Sequence, residues 1–281
     1  MSNTAAIPRE ELGKGTRARV IVYPTLDELH DAFELHLTNL ITSRAREGKS
    51  AVVVFPVGPI QFRRLARSLN SKGVSCANLY VFTMDEYCDA RGQMVPEDHP
   101  LSLRGFFRRE FLEALDPDKR LPEGHWMGPE PDNLEGYVRR IAEVGGVDVV
   151  YTGFGINGHW AFNDPPEPGQ EMTLEQFRNL SARLVTLSRE TVTQMAMGGT
   201  GGDLLGIPPR AVTIGPREML SAREIYCMGI RTWHSAVFRR ALHGPITPAF
   251  PASLIQLHPN LTVTMTEMVA ETPELLVLQR L

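Results

Sequence analysis

Apolar residues recur in this chain in two rhythms, and their alternation predicts the fold. Short β-branched or apolar runs stand at Arg19–Tyr23, Ala51–Phe55, within Asn78–Thr83, from Val147 through Val149 and Val150, and at Ala182–Leu187, Ala211–Ile214, Arg223–Ile230 and Leu261–Met265. Each has the length and composition of a buried strand. Between them apolar positions return at helical spacing. Leu29, Ala32, Phe33, Leu37 and Leu40 follow Thr25, with Glu28 at the capping-box position. Further helices are predicted over Ile60–Leu69, Leu101–Leu115 (through Leu103, Phe107, Phe111 and Leu112), Pro131–Val144, Arg189–Met197 and Thr232–Leu242, with a short one at Ala252–Leu257. Asp89–Pro100 reads as polar loop. Strand and helix alternate throughout, which predicts an α/β protein: one doubly wound, mostly parallel sheet with helices on both faces. Nothing in the chain reads as a linker, so residues 1–281 are expected to form a single domain, with 1–17 a loose polar lead-in.

Charge and composition narrow the partners. A formal net charge of -4 gives no general attraction to nucleic acid or anionic membrane. No apolar run approaches the ~18 residues of a membrane span. The first residues lack the apolar core of a signal peptide. Cys76, Cys88 and Cys227 are odd in number and show no C-x-x-C spacing, which argues against a disulfide scaffold or zinc site and for a reducing, cytoplasmic setting. No residue cluster implies a metal or an organic cofactor.

Candidate chemistry gathers where apolar runs end. Val147–Pro166 reads V-D-V-V-Y-T-G-F-G-I-N-G-H-W-A-F-N-D-P-P. Its glycines fit G-x-G-x-x-G, but a dinucleotide site needs a helix to start there, and Pro165, Pro166 and Pro168 bar one. A strand running into glycines instead makes a backbone cradle at a sheet mouth, where α/β proteins bind ligands. His159 sits in that mouth as a candidate proton shuttle, or as a structural histidine. Asp164 either orients it or caps a turn before Pro165. Asp85 and Glu86 follow the strand N-L-Y-V-F-T, either as a general base over the sheet or as a cap. G-x-S-x-G is absent, so no nucleophile elbow competes. Gly198–Gly206 (G-G-T-G-G-D-L-L-G) has no Lys-Ser/Thr after its glycines and reads as a flap rather than a P-loop.

Four segments, in order, carry a resemblance: Met84-Asp85-Glu86-Tyr87; His99-Pro100 with Ser102 and Phe106; Gly153 through Pro165; and Leu257-His258-Pro259. With them the chain resembles the glucosamine-6-phosphate deaminase/isomerase family, whose wider group includes 6-phosphogluconolactonases. The resemblance implies a Rossmann-like sheet and an aldose–ketose isomerase or amino-sugar deaminase. Asp85 would move a proton between C2 and C1, and His159 would open the sugar ring, with Asn157 and Asp164 as its partners. It implies a substrate-binding set of Gly58, Pro59, Glu86, Gly153, Phe154, Gly155, Arg231 and Thr232, a small sugar or sugar phosphate as partner, and a homo-oligomer as one possible assembly. The departures bear on the substrate. Asn157 stands for the family's Asp and Asp164 for its Glu, so the histidine loses a charge and gains a shorter partner. Pro56-Val57-Gly58-Pro59 replaces a hydroxyl-bearing phosphate loop, Thr232 stands for a phosphate-binding Lys, and Met197 for an Arg. A sugar without the 6-phosphate is therefore admitted, beside a sugar-lactone hydrolase and a non-catalytic sugar-binding protein as alternatives.

Overall fold

A computed structural model describes residues 4–273. Its strands are β1 (Ala18–Tyr23), β2 (Ala51–Phe55), β3 (Leu79–Thr83), β4 (Asp85–Cys88), β5 (Trp126–Met127), β6 (Val149–Thr152), β7 (Arg183–Thr186), β8 (Arg210–Thr213), β9 (Glu224–Gly229) and β10 (Leu261–Thr266). Seven of them form a parallel sheet in the order β1-β10-β9-β6-β2-β3-β5. The alternation of A-V-V-V-F divides β2 between two cores, because successive side chains point to opposite faces. Val52 and Val54 join Phe82, Val150 and Ile225 on one face, under the helices Leu134–Glu143 and His234–His243. Val53 and Phe55 join Val81, Val149 and Tyr151 on the other, under the helices Leu26–Arg46 and Phe62–Ser71. Each such side chain, wholly removed from water, contributes ~1.5–3 kcal/mol. The expected doubly wound α/β sheet is present.

It has a companion that the apolar runs did not separate from it. The predicted strands at 182–187 and 211–214 do not enter the large sheet. They pair antiparallel with the segment after β3, in the order β4-β8-β7, with Asp85 opposite Thr213. Tyr87, Phe162, Leu187, Ala196 and Ala211 pack into a third cluster, which seats the helix Arg189–Gly199 beside the small sheet.

Three local expectations change. The helix expected over 101–115 starts at Leu103, after Ser102 accepts a hydrogen bond from Gly105 N (3.0 Å), and widens into a π-turn over Arg108–Leu112. Only half the capping box at Thr25 forms: its hydroxyl accepts from Glu28 N at 3.1 Å. The lead-in, of which residues 1–3 lie outside the described residues, is tied down from residue 4. Leu12 is buried, Arg9 pairs with Glu267 (2.8 Å), and the buried guanidinium of Arg239 donates to the carbonyls of Ile7 (2.7 Å) and Ala270 (2.6 Å).

Candidate active site

The chain runs from β2 outward to β3 and β5, then returns to β6 on the other flank of β2. That reversal is a topological switch point, the crevice where open α/β sheets bind ligands. Four strand ends line it in a row. After β9 comes the loop with Arg231 and Thr232; after β6 the glycine loop and His159; after β2 the Pro56–Gln61 loop; and after β3, Asp85. Neighbouring strands lie ~4.8 Å apart, so β3 and β6 face each other across β2 at about 10 Å.

Asp85 is held by its backbone neighbours. Met84 N donates to Phe55 O (3.0 Å), and Ile214 N donates to Met84 O (2.7 Å). Its carboxyl is buried, and among the described residues no hydrogen bond favours its charged form. Burial and the adjacent Glu86 carboxylate push its pKa up to about 8. Glu86 does not share that position. Its side chain is fully buried, and its two oxygens accept from Tyr87 N (2.7 Å), Leu103 N (3.0 Å), Arg104 N (2.8 Å) and Ser102 Oγ (2.9 Å). Grouped above with the substrate-binding residues, it instead caps the helix at Leu103 and fixes the strand that carries Asp85.

The glycine loop is shaped by its imidazole. A Cβ on Gly155 would stand 2.0 Å from Cε1 of His159, so the ring lies flat on that residue's backbone. Gly158, at φ 82, is in the left-handed region and would meet the Phe250 ring at 2.4 Å. Ala161, at φ 52, also takes the left-handed conformation and closes the turn between Trp160 and Asn163. The turn is pinned from below: Trp160 Nε1 donates to Thr152 Oγ1 (3.0 Å), and Asn163 Nδ2 donates to the carbonyls of Trp160 (2.7 Å) and Ile214 (3.0 Å). Phe162 N donates to Thr213 Oγ1 (3.0 Å), and Thr213 is the residue paired with Asp85. The β4–β8 pair thus ties the two candidate catalytic residues together.

His159 and Asp164 meet through a residue that the motif reading missed. Their Nδ1 and Oδ1 atoms are 3.5 Å apart, and Thr191 Oγ1 bridges them at 2.8 Å from Nδ1 and 2.6 Å from Oδ1. The Asp164 carboxylate also accepts from Asn157 Nδ2 (2.8 Å) and Ser188 N (3.0 Å). Burial would raise its pKa; the nearby His159 ring, with hydrogen bonds from Thr191 and Asn157, outweighs it and holds the group well below the usual carboxylate range. Asn157, expected to partner the imidazole, does not bond the ring. Its Oδ1 accepts from the backbone N of His159 (3.0 Å), and its amide serves Asp164. An amide with no charge to give works better as this bracket than as a ring partner. Thr191 had one local signal, its place three residues after Ser188, which caps its helix.

The remaining expected residues divide. Phe154 is buried against Trp160 and Phe238, so its side chain packs in the core rather than toward a ligand. Gly155 N donates to His159 O (3.0 Å), and Ile156 N to Gln194 Oε1 (2.6 Å), so these two cradle donors are already engaged. Gly153 sits beside Pro59, whose ring carbon lies 3.6 Å from where a Cβ would be. Gly58, Arg231 and Thr232 are exposed. A further histidine brackets the Arg231 loop: His234 Nδ1 accepts from Ile230 N (2.9 Å) and Arg231 N (3.2 Å), while Nε2 donates to Phe154 O (3.0 Å). Burial pushes its pKa down to about 4, which keeps the ring neutral. His258 lies at the other end of the sheet, bonded to the carbonyls of Ala222 and Asn260. Among the described residues, no group of three His, Cys, Asp or Glu side chains is placed to hold a metal ion, and no helix is long and apolar enough to cross a membrane.

The parallel sheet with its switch point is a fold shared with solved structures. A solved monomeric glucosamine-6-phosphate deaminase superposes with a TM-score of 0.77 at 22% identity, over 90% of this chain and 98% of that one. A 6-phosphogluconolactonase from Shewanella baltica gives 0.65 at 16% identity, over 91% and 99%. No family model matches the chain. In sequence it is 32% identical over 217 residues to a glucosamine-6-phosphate deaminase of Corynebacterium kroppenstedtii, covering 76% of this chain and 77% of the relative. The chain belongs to the glucosamine-6-phosphate deaminase family and is an enzyme of that family.

Proposed function

We propose that this enzyme interconverts an aldose and a ketose and releases ammonia when C2 of the sugar bears an amine. The observation that carries the reading is Asp85: a buried carboxyl with no hydrogen bond to its charged form and a pKa pushed up to about 8, across β2 from His159. His159 opens the ring by proton transfer at the ring oxygen and the anomeric hydroxyl. Asp85 then takes the C2 proton and returns it to C1. A carboxyl of this pKa keeps its proton through neutral pH. An ammonium on C2 favours the ionised form, so the base is armed by the amine it acts beside.

The cleft end bounded by the β2, β6 and β9 loops supports a sugar that is not phosphorylated. Pro59 has no N–H to offer, Val57 has no hydroxyl, and His234 already holds the N–H groups of Ile230 and Arg231. A phosphate dianion there would forgo charge-assisted hydrogen bonds worth ~1.5–3 kcal/mol each. The three cysteines, all buried and unpaired, support action in the cytoplasm.

The test is ammonia release from glucosamine and from glucosamine 6-phosphate, with C2 proton exchange followed in heavy water. Turnover of the free amino sugar with C2 exchange supports the whole reading. Turnover of the phosphate ester alone retains the isomerase and removes the unphosphorylated substrate. A second reading, lactone hydrolysis, has the likeness to the lactonase fold behind it. Acid release from sugar lactones that persists in Asp85→Asn would establish it in place of the first.

A further inference from the structure

Protons can be counted along the chain of atoms His159 Nδ1, Thr191 Oγ1 and Asp164 Oδ1. The Asp164 carboxylate receives a donor amide from Asn157 on Oδ1 and a backbone N–H from Ser188 on Oδ2. It is an acceptor on both oxygens. The contact of 2.6 Å between Thr191 Oγ1 and Asp164 Oδ1 therefore uses the hydroxyl's only proton. At 2.8 Å from His159 Nδ1 the same oxygen has only lone pairs left, so it accepts, and Nδ1 must carry a hydrogen. A neutral imidazole with its proton on Nδ1 has its lone pair on Nε2.

We propose that Thr191 is the positioning residue of this site: its hydroxyl, bridging Asp164 and His159, locks the imidazole in the Nδ1–H tautomer and leaves Nε2 as the proton-accepting nitrogen. The carboxylate alone does not do this. At 3.5 Å, Asp164 Oδ1 is too far from Nδ1 for a good hydrogen bond, and Asn157 does not bond the ring. The hydroxyl supplies the missing length. Thr191 is itself fully buried and fixed on the first turn of the helix Arg189–Gly199, where its backbone N donates to Ser188 Oγ (3.1 Å). The ring's other constraint is steric, the Gly155 backbone under its plane. Together they set both the rotation and the tautomer of the imidazole. The role assigned to the hydroxyl is independent of the substrate; its effect on turnover rests on the isomerase reading above.

The test begins without turnover. Nitrogen-15 spectra of the histidine rings, with His159 assigned by the signal lost in His159→Gln, are recorded on the whole protein titrated to the neutral ring. The proton is expected on Nδ1 with Nε2 bare; a proton found on Nε2 overturns the proposal. Thr191→Val keeps the shape and removes the hydroxyl. It is expected to lose the Nδ1–H signature and to lower kcat by roughly ten- to a thousand-fold, in the range between lost orienting partners and a wrong tautomer, with KM changed less than about threefold because the ring is not the main source of binding. Thr191→Ser should restore the spectrum and bring kcat back within about threefold of wild type. A Thr191→Val enzyme with wild-type kcat and spectrum overturns the proposal. Should Thr191→Val not fold, the wild-type and Thr191→Ser spectra decide it alone. Should no sugar be turned over by the wild type, the isomerase reading fails while the tautomer result still decides the role of Thr191.

Discussion

Replacing Asp85 with Asn separates catalysis from stability and tests the environment of the carboxyl directly. Asn has nearly the shape of a protonated Asp but cannot ionise. Asp85 is 8% exposed, and its pKa stands at about 8 against an ordinary 3.8. Because the folded state holds this proton more tightly than the unfolded chain does, ionisation costs stability as pH rises. The penalty is absent below about pH 4, grows through the window to about pH 8, and is constant above it. A gap of about four units at ~1.4 kcal/mol each sets a ceiling of roughly 6 kcal/mol. Relaxation and water entry in the charged state reduce it, and a realised gain of ~2–3 kcal/mol is expected for Asp85→Asn at pH 8. For a chain of this size that is ~4–6 °C in Tm. Scanning calorimetry of both proteins from pH 4 to 9 should show curves that coincide at the acid end and diverge upward, while the variant loses C2 proton exchange at every pH. A Tm difference that is flat with pH, or an Asn variant less stable at pH 8, would refute the claim that this carboxyl is buried without partners.

Glu86→Gln should lower stability by ~2–4 kcal/mol, since an amide keeps one acceptor oxygen where the carboxylate uses two on four donors; urea denaturation with an unchanged m-value checks it. Asp164 has the opposite pH signature. Its pKa is depressed in the fold, so its contribution is fully present above about pH 4 and lost progressively as pH falls below that, and the gap between melting curves of Asp164→Asn and wild type should be constant above about pH 4 and begin to narrow below it. Gly155→Ala places a methyl group on the His159 ring and should cut kcat by more than about tenfold through misplacement while leaving the fold intact by circular dichroism. Ala161→Gly, at a left-handed position, should be neutral or stabilising by up to ~1 kcal/mol, read from the same melts.

Much of the large sheet was legible because a parallel strand buried on both faces must be apolar at nearly every position, as A-V-V-V-F in β2 is. The small sheet was not. A run such as Arg210–Thr213 has the same look whether its neighbour is parallel or antiparallel, and only the pairing of Asp85 with Thr213 decides. The placement of Asp85 and His159 at strand ends was legible for the same reason the strands were. Their supports were not, because those bonds cross long stretches of chain. Glu86 takes its donors from residues up to 18 positions away, and Thr191 reaches Asp164 and His159 from 27 and 32 positions away. No local pattern of polar and apolar residues records such a partner. Asn157 shows the reverse error: adjacency in the motif suggested a ring contact, and the chain turned its amide toward Asp164.

The imidazole of His234 leaves a practical mark on anyone who would rebuild this cleft. One ring staples the backbone of two crossover turns, at Phe154 and at Ile230–Arg231, so neither turn can be transplanted or redesigned by itself. A chimera that borrows the 230–234 segment from a relative without that histidine loses the acceptor of two amides and the donor to the Phe154 carbonyl, and the turn at Phe154 loosens with it.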